Sequence, residues 1–282
     1  MVLAGIDLGT SGLKTVLVNG EGRVLAVAAR EYPIAMPAPA AAEQDPALWL
    51  EAAVVTMRQA LAQAGVNGEA VAAIGLSGQM HGLVCVDADD RVLRPAIIWP
   101  DRRSHEQVAQ VYHRVGRKRL TEWTRNPLAT GFQLVSWLWL LQHEPETARQ
   151  TACLLLPKDY LRLWLTGERG TEPSDACATG CFDPAARTWS RPLWQKLDLD
   201  PRLWPPVAPS HAVAGGLRGE AAAALGLRPG IPVAYGGGDQ ACQAVGNGIL
   251  QPGDLSITIG TGGQLLAPVS EPAFDPRLRL HG

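Results

Sequence analysis

Charge is scarce in this sequence. Asp, Glu, Lys and Arg make up 18% of its 282 residues, and 25 basic against 27 acidic side chains leave a formal charge of −2. Such a balance excludes the global field that draws a protein to nucleic acid or to an anionic membrane surface. Only four of the cations are lysines. Long apolar runs are missing too: none reaches the roughly 18 residues that a bilayer-spanning helix needs. The chain opens Met1-Val2-Leu3-Ala4-Gly5-Ile6-Asp7, without the basic region of a secretory leader and with an acid where a leader is still apolar. We therefore expect a cytoplasmic protein with no nucleic-acid or membrane partner. Cysteine is sparse and odd in number, at 85, 153, 177, 181 and 242. The closest pair, Cys177 and Cys181, lacks the spacing of a zinc knuckle, so reduced and mostly buried thiols are expected.

What is plentiful points to a folded α/β protein. Hydrophobic residues reach 46%, enough to bury the core of one large domain or two modest ones. Glycine (30) and proline (22) predict many tight turns. Short apolar segments at 4–8, 13–18 and 24–28, divided by Gly9-Thr10-Ser11-Gly12 and Asn19-Gly20-Glu21-Gly22, predict three strands. Asp45-Pro46 then opens a helix, with Trp49, Leu50, Ala53, Val54, Met57 and Leu61 along one face. A buried strand at 71–76 ends in Ser77-Gly78-Gln79-Met80-His81-Gly82, and a short strand at 97–99 ends in Pro100-Asp101-Arg102-Arg103. Helical patterning covers Ser104 to about Leu141. Its basic run from Arg102 to Arg125 reads as a solvated face. Pro157-Lys158-Asp159 starts another helix, and Thr171 to Phe182 is small and polar. Leu227-Arg228-Pro229-Gly230 is the sharpest boundary, giving units at 1–229 and 230–282. After it, a strand at 231–235 feeds Gly236-Gly237-Gly238-Asp239.

An internal repeat links the two ends of the chain. Ile6-Asp7-Leu8-Gly9-Thr10-Ser11-Gly12 aligns with Ile257-Thr258-Ile259-Gly260-Thr261-Gly262-Gly263, with Ile, Gly, Thr and Gly shared in position. Two such strand–turn units suggest two lobes of related topology facing across a cleft.

Several of these segments can carry chemistry. Gly9 and Gly12 let backbone amides approach an anion, while Thr10, Ser11 and Lys14 add hydroxyls and a charge. Asp7, on the strand before this turn, suits a magnesium ion or its waters. An ordinary hairpin turn also accounts for the same residues. Asp239 follows three glycines at a strand-to-helix corner. It is either a helix cap or a base that takes a proton from an attacking hydroxyl. Met80 and His81 bring a thioether and an imidazole to a strand end, which fits a polyol or sugar. A structural histidine is the other reading. Trp99, Asp101 and Arg103 read as a second sugar-facing group or as a turn with a surface ion pair.

The residues from Gly5-Ile6-Asp7-Leu8-Gly9-Thr10 through Gly78-Gln79-Met80-His81-Gly82, Trp99-x-Asp101-x-Arg103 and Pro157-Lys158-Asp159-Tyr160 to Gly236-Gly237-Gly238-Asp239 resemble the FGGY family of carbohydrate kinases. The order of the five segments matches, and the resemblance covers nearly the whole chain. It implies an α/β protein of the actin-like ATPase class with a ribonuclease-H-like core, in which a sugar meets ATP and Mg2+ in the cleft. By the resemblance, Asp239 is the catalytic base and a second contact for magnesium. Asp7 organises the metal. Met80, His81, Asp239, Gln240, Trp99 and Asp101 surround the sugar. Gly9, Thr10, Ser11 and Lys14 form one phosphate loop, and Gly260, Thr261 and Gly262 form the other. The implied reaction moves the γ-phosphoryl group of ATP to the 5-hydroxyl of D-xylulose. Two departures stand out. Gln240 follows the base where several members have asparagine, which leaves open the exact ketose. The sequence also ends at Gly282, soon after the second loop, so we expect a shortened chain whose first lobe is complete and whose second is only begun. Its apolar stub is expected to be exposed and to promote association, a homodimer included.

Overall fold

A computed structural model describes residues 1–259, 263–271, 273, 275, 277 and 279–281. Strands β1 (Val2–Leu8), β2 (Gly12–Asn19) and β3 (Val24–Glu31) form the antiparallel meander that the sequence predicts. Alternation decides its faces: Val2, Ala4, Ile6 and Leu8 enter the core, which turns Gly5 and Asp7 to the opposite side. After the short β4 (Glu43–Gln44), Asp45 caps α1 (Pro46–Ala64) by accepting the Ala47 amide at 2.9 Å. Gly65 closes the helix in the left-handed region. The buried stripe of α1 is Trp49, Ala52, Ala53, Thr56, Met57, Ala60 and Leu61; the predicted Leu50 and Val54 lie at its margin. Small residues on that stripe bring the helix so close that Thr15 and Thr56 share a 2.7 Å hydrogen bond inside the core.

β5 (Val71–Gly78) enters parallel to β1 and places Ser77 beside Asp7. The chain then leaves the sheet. β6 (Val84–Val86), β7 (Ala96–Ile97) and β8 (Cys153–Leu155) bracket α2 (His105–Val115), α3 (Arg117–Thr124), α4 (Gln133–His143) and α5 (Pro145–Gln150). The mostly helical stretch expected from Ser104 to about Leu141 is three helices, divided at Gly116 and over 125–132. These helices share a second core, with Leu83, Val111, Leu134, Trp137, Phe182 and Trp194 among its members. The basic run along α2 and α3 is mostly exposed, as a solvated face should be.

α6 (Pro157–Thr166), α7 (Pro173–Ala176), β9 (Phe182–Asp183), β10 (Thr188–Trp189) and α8 (Arg191–Leu197) carry the chain back to the sheet. There β11 (Val213–Gly216), α9 (Gly219–Leu225), β12 (Pro232–Ala234) and β13 (Gly237–Gly238) complete the order β11-β12-β5-β1-β2-β3. β12 and β13 both pair parallel with β5, Val233 opposite Ile74 and Gly238 opposite Gly78. Between them Gly236 turns the backbone at φ +81°, and a Cβ there would lie 2.2 Å from the Leu76 carbonyl oxygen. Only glycine accommodates both demands. The expected division at 229/230 does not coincide with a break in this sheet, because strands from both sides of it run along β5. α10 (Asp239–Gly246) departs from the end of β13.

β14 (Ser256–Ile259) and β15 (Gly263–Leu266) pair antiparallel where the internal repeat places its second unit. Leu8 pairs with Leu13 in the first unit, whereas Ile259 pairs with Gly263 in the second. Gly260, Thr261 and Gly262, the expected second phosphate loop, lie outside the described residues. Leu255, Ile257, Ile259 and Leu265 carry the exposed apolar surface expected here. Among the described residues no helix is long and apolar enough to cross a membrane. All five cysteines are free thiols, and four are buried.

Candidate active site

Three parallel strands, β1, β5 and β13, end side by side, and their ends bring two carboxylates together. Register puts Asp7 opposite Ser77 and Ser77 opposite Gly237, so Asp239 begins its helix just past the same row. Ligands of α/β sheets characteristically bind outside such carboxyl ends. Ser77 Oγ donates to Asp7 Oδ1 at 2.9 Å. Asp239 Oδ1 accepts the amide of Gln240 at 2.7 Å. Burial raises the Asp239 carboxyl above its ordinary range, and the negative charge of Asp7 raises it further, against the hydrogen bonds from Gln240. The two acids thus share one electrostatic site. Asp7, Lys14, Val16, Ser77 and Cys242 line an open depression of about 410 Å³ beside it.

The Gly9–Gly12 turn adjoins this row. The Gly9 amide donates to the Gly12 carbonyl at 3.0 Å, and a Cβ on Gly12 would lie 2.7 Å from the Arg30 carbonyl oxygen. Three side chains hold the turn from outside. The Tyr32 hydroxyl donates to the Gly9 carbonyl at 2.5 Å, Gln44 Nε2 to the Thr10 carbonyl at 2.7 Å, and Trp99 Nε1 to Thr10 Oγ1 at 2.7 Å. Two carbonyl dipoles are thereby satisfied within the protein, a favourable condition in a loop that is to receive an anion. Ser11 and Lys14 are exposed. Lys14 sits directly across from Asp7 in the β1–β2 ladder.

Met80 and His81 follow β5. Met80 packs on Gly238, where a Cβ would come within 2.9 Å of Met80 Cγ. His81 occupies the left-handed region at φ +72°, inside a γ-turn closed by the Gly82 amide on the Met80 carbonyl at 2.9 Å. A histidine in that conformation is strained, and such strain gathers at functional sites. Its ring stacks on Phe132 at 4.2 Å between centroids. Nδ1 lies 2.7 Å from the Ala178 carbonyl oxygen, which can only accept, so Nδ1 carries the proton and Nε2 is left as an acceptor. Burial lowers the imidazole to about 4, with His281 adding to the effect.

Of the remaining expected sugar contacts, Gln240 is next to Asp239, and Trp99 is half exposed with its indole anchored on the first loop. Asp101 is placed otherwise. It is fully buried, with Oδ2 accepting the Ala42 amide at 2.7 Å and Arg103 Nε at 2.8 Å, and Oδ1 accepting the Arg103 amide at 2.9 Å. Its ion pair with Arg103 is thus buried rather than at the surface, and its bond to Ala42 fastens the loop ahead of α1. Sequence reasoning missed Tyr32 and Gln44. It also missed that Lys158, Asp159, Arg162, Glu172 and Asp175 form a fully buried ionic cluster behind the Gly236–Gly238 corner. The Pro157-Lys158-Asp159 segment was the visible signal, but burial of a lysine is not written in its local sequence.

As a donor set, Asp7, Asp239 and the Ser77 hydroxyl present hard oxygen atoms, and the repulsion between the two acids is of the kind a divalent cation relieves. Among the described residues no group of three or more His, Cys, Asp or Glu side chains converges as a metal site, here or elsewhere.

A mixed sheet that carries acids at the ends of neighbouring strands, beside a glycine hairpin, defines a lobe of the actin-like ATPase class. Its particular family follows from comparison: the chain belongs to the FGGY family of carbohydrate kinases, whose N-terminal domain matches residues 2–246. It is 38% identical over 277 residues to a xylulose kinase of Bacillus subtilis, covering 98% of this chain and 55% of that protein. It is 40% identical to the xylulose kinase of Escherichia coli, covering 95% of this chain and 54% of that one. The solved xylulose kinase of Rhodospirillum rubrum superposes with a TM-score of 0.93 at 31% identity, over 98% of this chain and 57% of that one. The chain spans about half the length of the relatives it matches.

Proposed function

We propose that this chain is the sugar-binding and first phosphate-binding lobe of an ATP-dependent kinase that phosphorylates the 5-hydroxyl of D-xylulose, giving D-xylulose 5-phosphate and ADP. The observation that carries this reading is the row of strand ends on which Asp7 and Asp239 meet, flanked by the Gly9–Gly12 turn and by Met80 and His81. Asp239 takes the proton of the attacking hydroxyl, and its raised carboxyl makes it a stronger base than an exposed aspartate. His81 Nε2 accepts a hydroxyl hydrogen of the sugar. Met80 supplies an apolar wall. Thr10, Ser11 and Lys14 receive a phosphate of ATP, and Gly260, Thr261 and Gly262 are proposed to do so from the second loop. Asp7, through water, and Asp239 would hold Mg2+, which when bound would supply positive charge against the phosphate oxygens.

The half-length match favours a second reading, in which the chain binds sugar without catalysing its phosphorylation. The related substrates ribulose and glycerol define a third. Calorimetric titration of D-xylulose without nucleotide, with ribulose, glycerol and glucose alongside, separates them. Selective binding of xylulose that is lost in His81→Ala supports a ketose site. A preference for ribulose or glycerol moves the substrate assignment, and absence of heat with every sugar overturns it. Phosphoryl transfer from ATP, abolished by Asp239→Asn with sugar binding retained, then distinguishes the kinase from a binding lobe.

A further inference from the structure

Asp239 projects from a corner made of Gly236, Gly237 and Gly238, the softest backbone the genetic code offers, yet a base must be held within a few tenths of an ångström of its hydroxyl. The corner is gripped from one side by a single buried acid. Glu172 is fully buried and caps α7, accepting the amides of Ser174 and Asp175 at 2.8 Å each. The Ser174 hydroxyl donates to Glu172 at 2.9 Å and accepts the Gly238 amide at 3.0 Å. The Ser210 hydroxyl donates to Glu172 at 2.7 Å, while the Ser210 carbonyl accepts the Gly236 amide at 3.0 Å. Both ends of the triglycine are therefore tied to one carboxylate through two serines. Lys158 closes the bracket from behind, 3.9 Å from Glu172 and 3.4 Å from the Tyr235 carbonyl oxygen. Arg162 lies 4.6 Å over the Tyr235 ring.

We propose that Glu172, Ser174 and Ser210 are positioning residues for Asp239, acting on the Gly236 and Gly238 amides and not on the substrate. The inference rests on the kinase reading for the role of Asp239, but the bracket itself does not. Glu172→Gln would change the charge of the buried ionic cluster as well as the bracket, so Ser174→Ala, at a partly exposed position, is the informative variant, with Ser174→Thr as its rescue. In the 282-residue chain, Ser174→Ala is expected to speed amide hydrogen exchange at Gly238 about fivefold, the loss of one ordinary hydrogen bond. D-Xylulose affinity is expected to fall about threefold or more, with the urea midpoint lowered by no more than the loss of that one hydrogen bond accounts for, and Ser174→Thr is expected to restore all three. Unchanged exchange and affinity in Ser174→Ala would overturn the proposal. Exchange speeded as much at amides remote from the corner, with a midpoint lowered well beyond the loss of one hydrogen bond, would also overturn it, since that is the mark of a general packing role. If the wild-type chain binds no xylulose, the substrate reading fails, and localised exchange at Gly238 alone decides whether the bracket exists.

Discussion

Lowering the pH should destabilise this lobe through one histidine at its sugar site. His81 is held neutral: its ring is stacked on Phe132, its Nδ1–H is committed to the Ala178 carbonyl, and burial lowers it from 6.5 to about 4. In the unfolded chain it takes up a proton near its ordinary 6.5. A depressed folded value means that the contribution to stability is complete above 6.5 and is lost as pH falls toward 4. The gap of about 2.5 pH units is worth about 3 kcal/mol. Urea unfolding of the wild type and of His81→Asn, which tolerates a positive φ and does not titrate, should give a difference that is flat from pH 8 to 6.5 and closes toward 4. The His81 imidazole carbon proton, followed by NMR, should stay at its neutral shift down to about pH 5. Sugar affinity should be equally flat over that range, because Nε2 remains an acceptor. A titration of His81 near 6.5, or a difference curve with no slope between 6.5 and 4, would refute the reasoning.

Other substitutions test neighbouring links. Asp239→Asn should raise the melting temperature at pH 7, since the raised carboxyl makes its charge a cost that is absent below the ordinary carboxylate range and sets in as pH rises through the folded value; equal melting at both pH extremes would contradict this. Gly236→Ala should lose at least about 2 kcal/mol in urea titration, from the positive φ together with the contact on the Leu76 carbonyl. His81→Gly should be more stable than His81→Ala by about 1 kcal/mol, because glycine accepts φ +72° freely; thermal denaturation ranks the two. Thr56→Val should cost about 1–2 kcal/mol by leaving the buried Thr15 hydroxyl alone, and adding Thr15→Val should recover part of it, a reversal that a double-mutant cycle reads directly.

Strand periodicity, the Asp45-Pro46 cap and the glycine turns made the strands of the meander and α1 legible from the residues alone, and marked Asp7 and Asp239 as candidates whose roles only the resemblance supplied. What escaped was whatever depends on partners distant in sequence. The face of α1 shifted from Leu50 and Val54 to Ala52, Thr56 and Ala60 because the meander it packs against admits small side chains and offers Thr15 as a hydrogen-bond partner. The helical pattern after Ser104 ran through breaks that hydrophobic spacing does not register. Leu227-Arg228-Pro229-Gly230 is a true turn signal, yet a turn in the chain is not a border between domains when the next strand returns to the same sheet. Asp101 shows the limit most plainly. Its motif was visible, but the buried approach of Arg103 and of the Ala42 amide, 59 residues away, is a contact that local sequence does not reveal.

The same logic explains why the acids of this site sit on strand ends and glycines. Asp7 is rigid because β1 is paired on both sides, by β2 and β5. Asp239 gains close approach from its three glycines, which admit Met80 and the Leu76 carbonyl where any side chain would collide. That openness leaves the backbone without stiffness of its own. Stiffness has to come from elsewhere, and the nearest source is Glu172, a fully buried carboxylate that accepts four hydrogen bonds and lies 3.9 Å from Lys158 in the buried ionic cluster. An ionic cluster of that kind is an expensive way to stabilise a core and an effective way to fix one geometry. Its position directly behind the triglycine, rather than under the larger cores of the lobe, argues that fixing Asp239 is what it does.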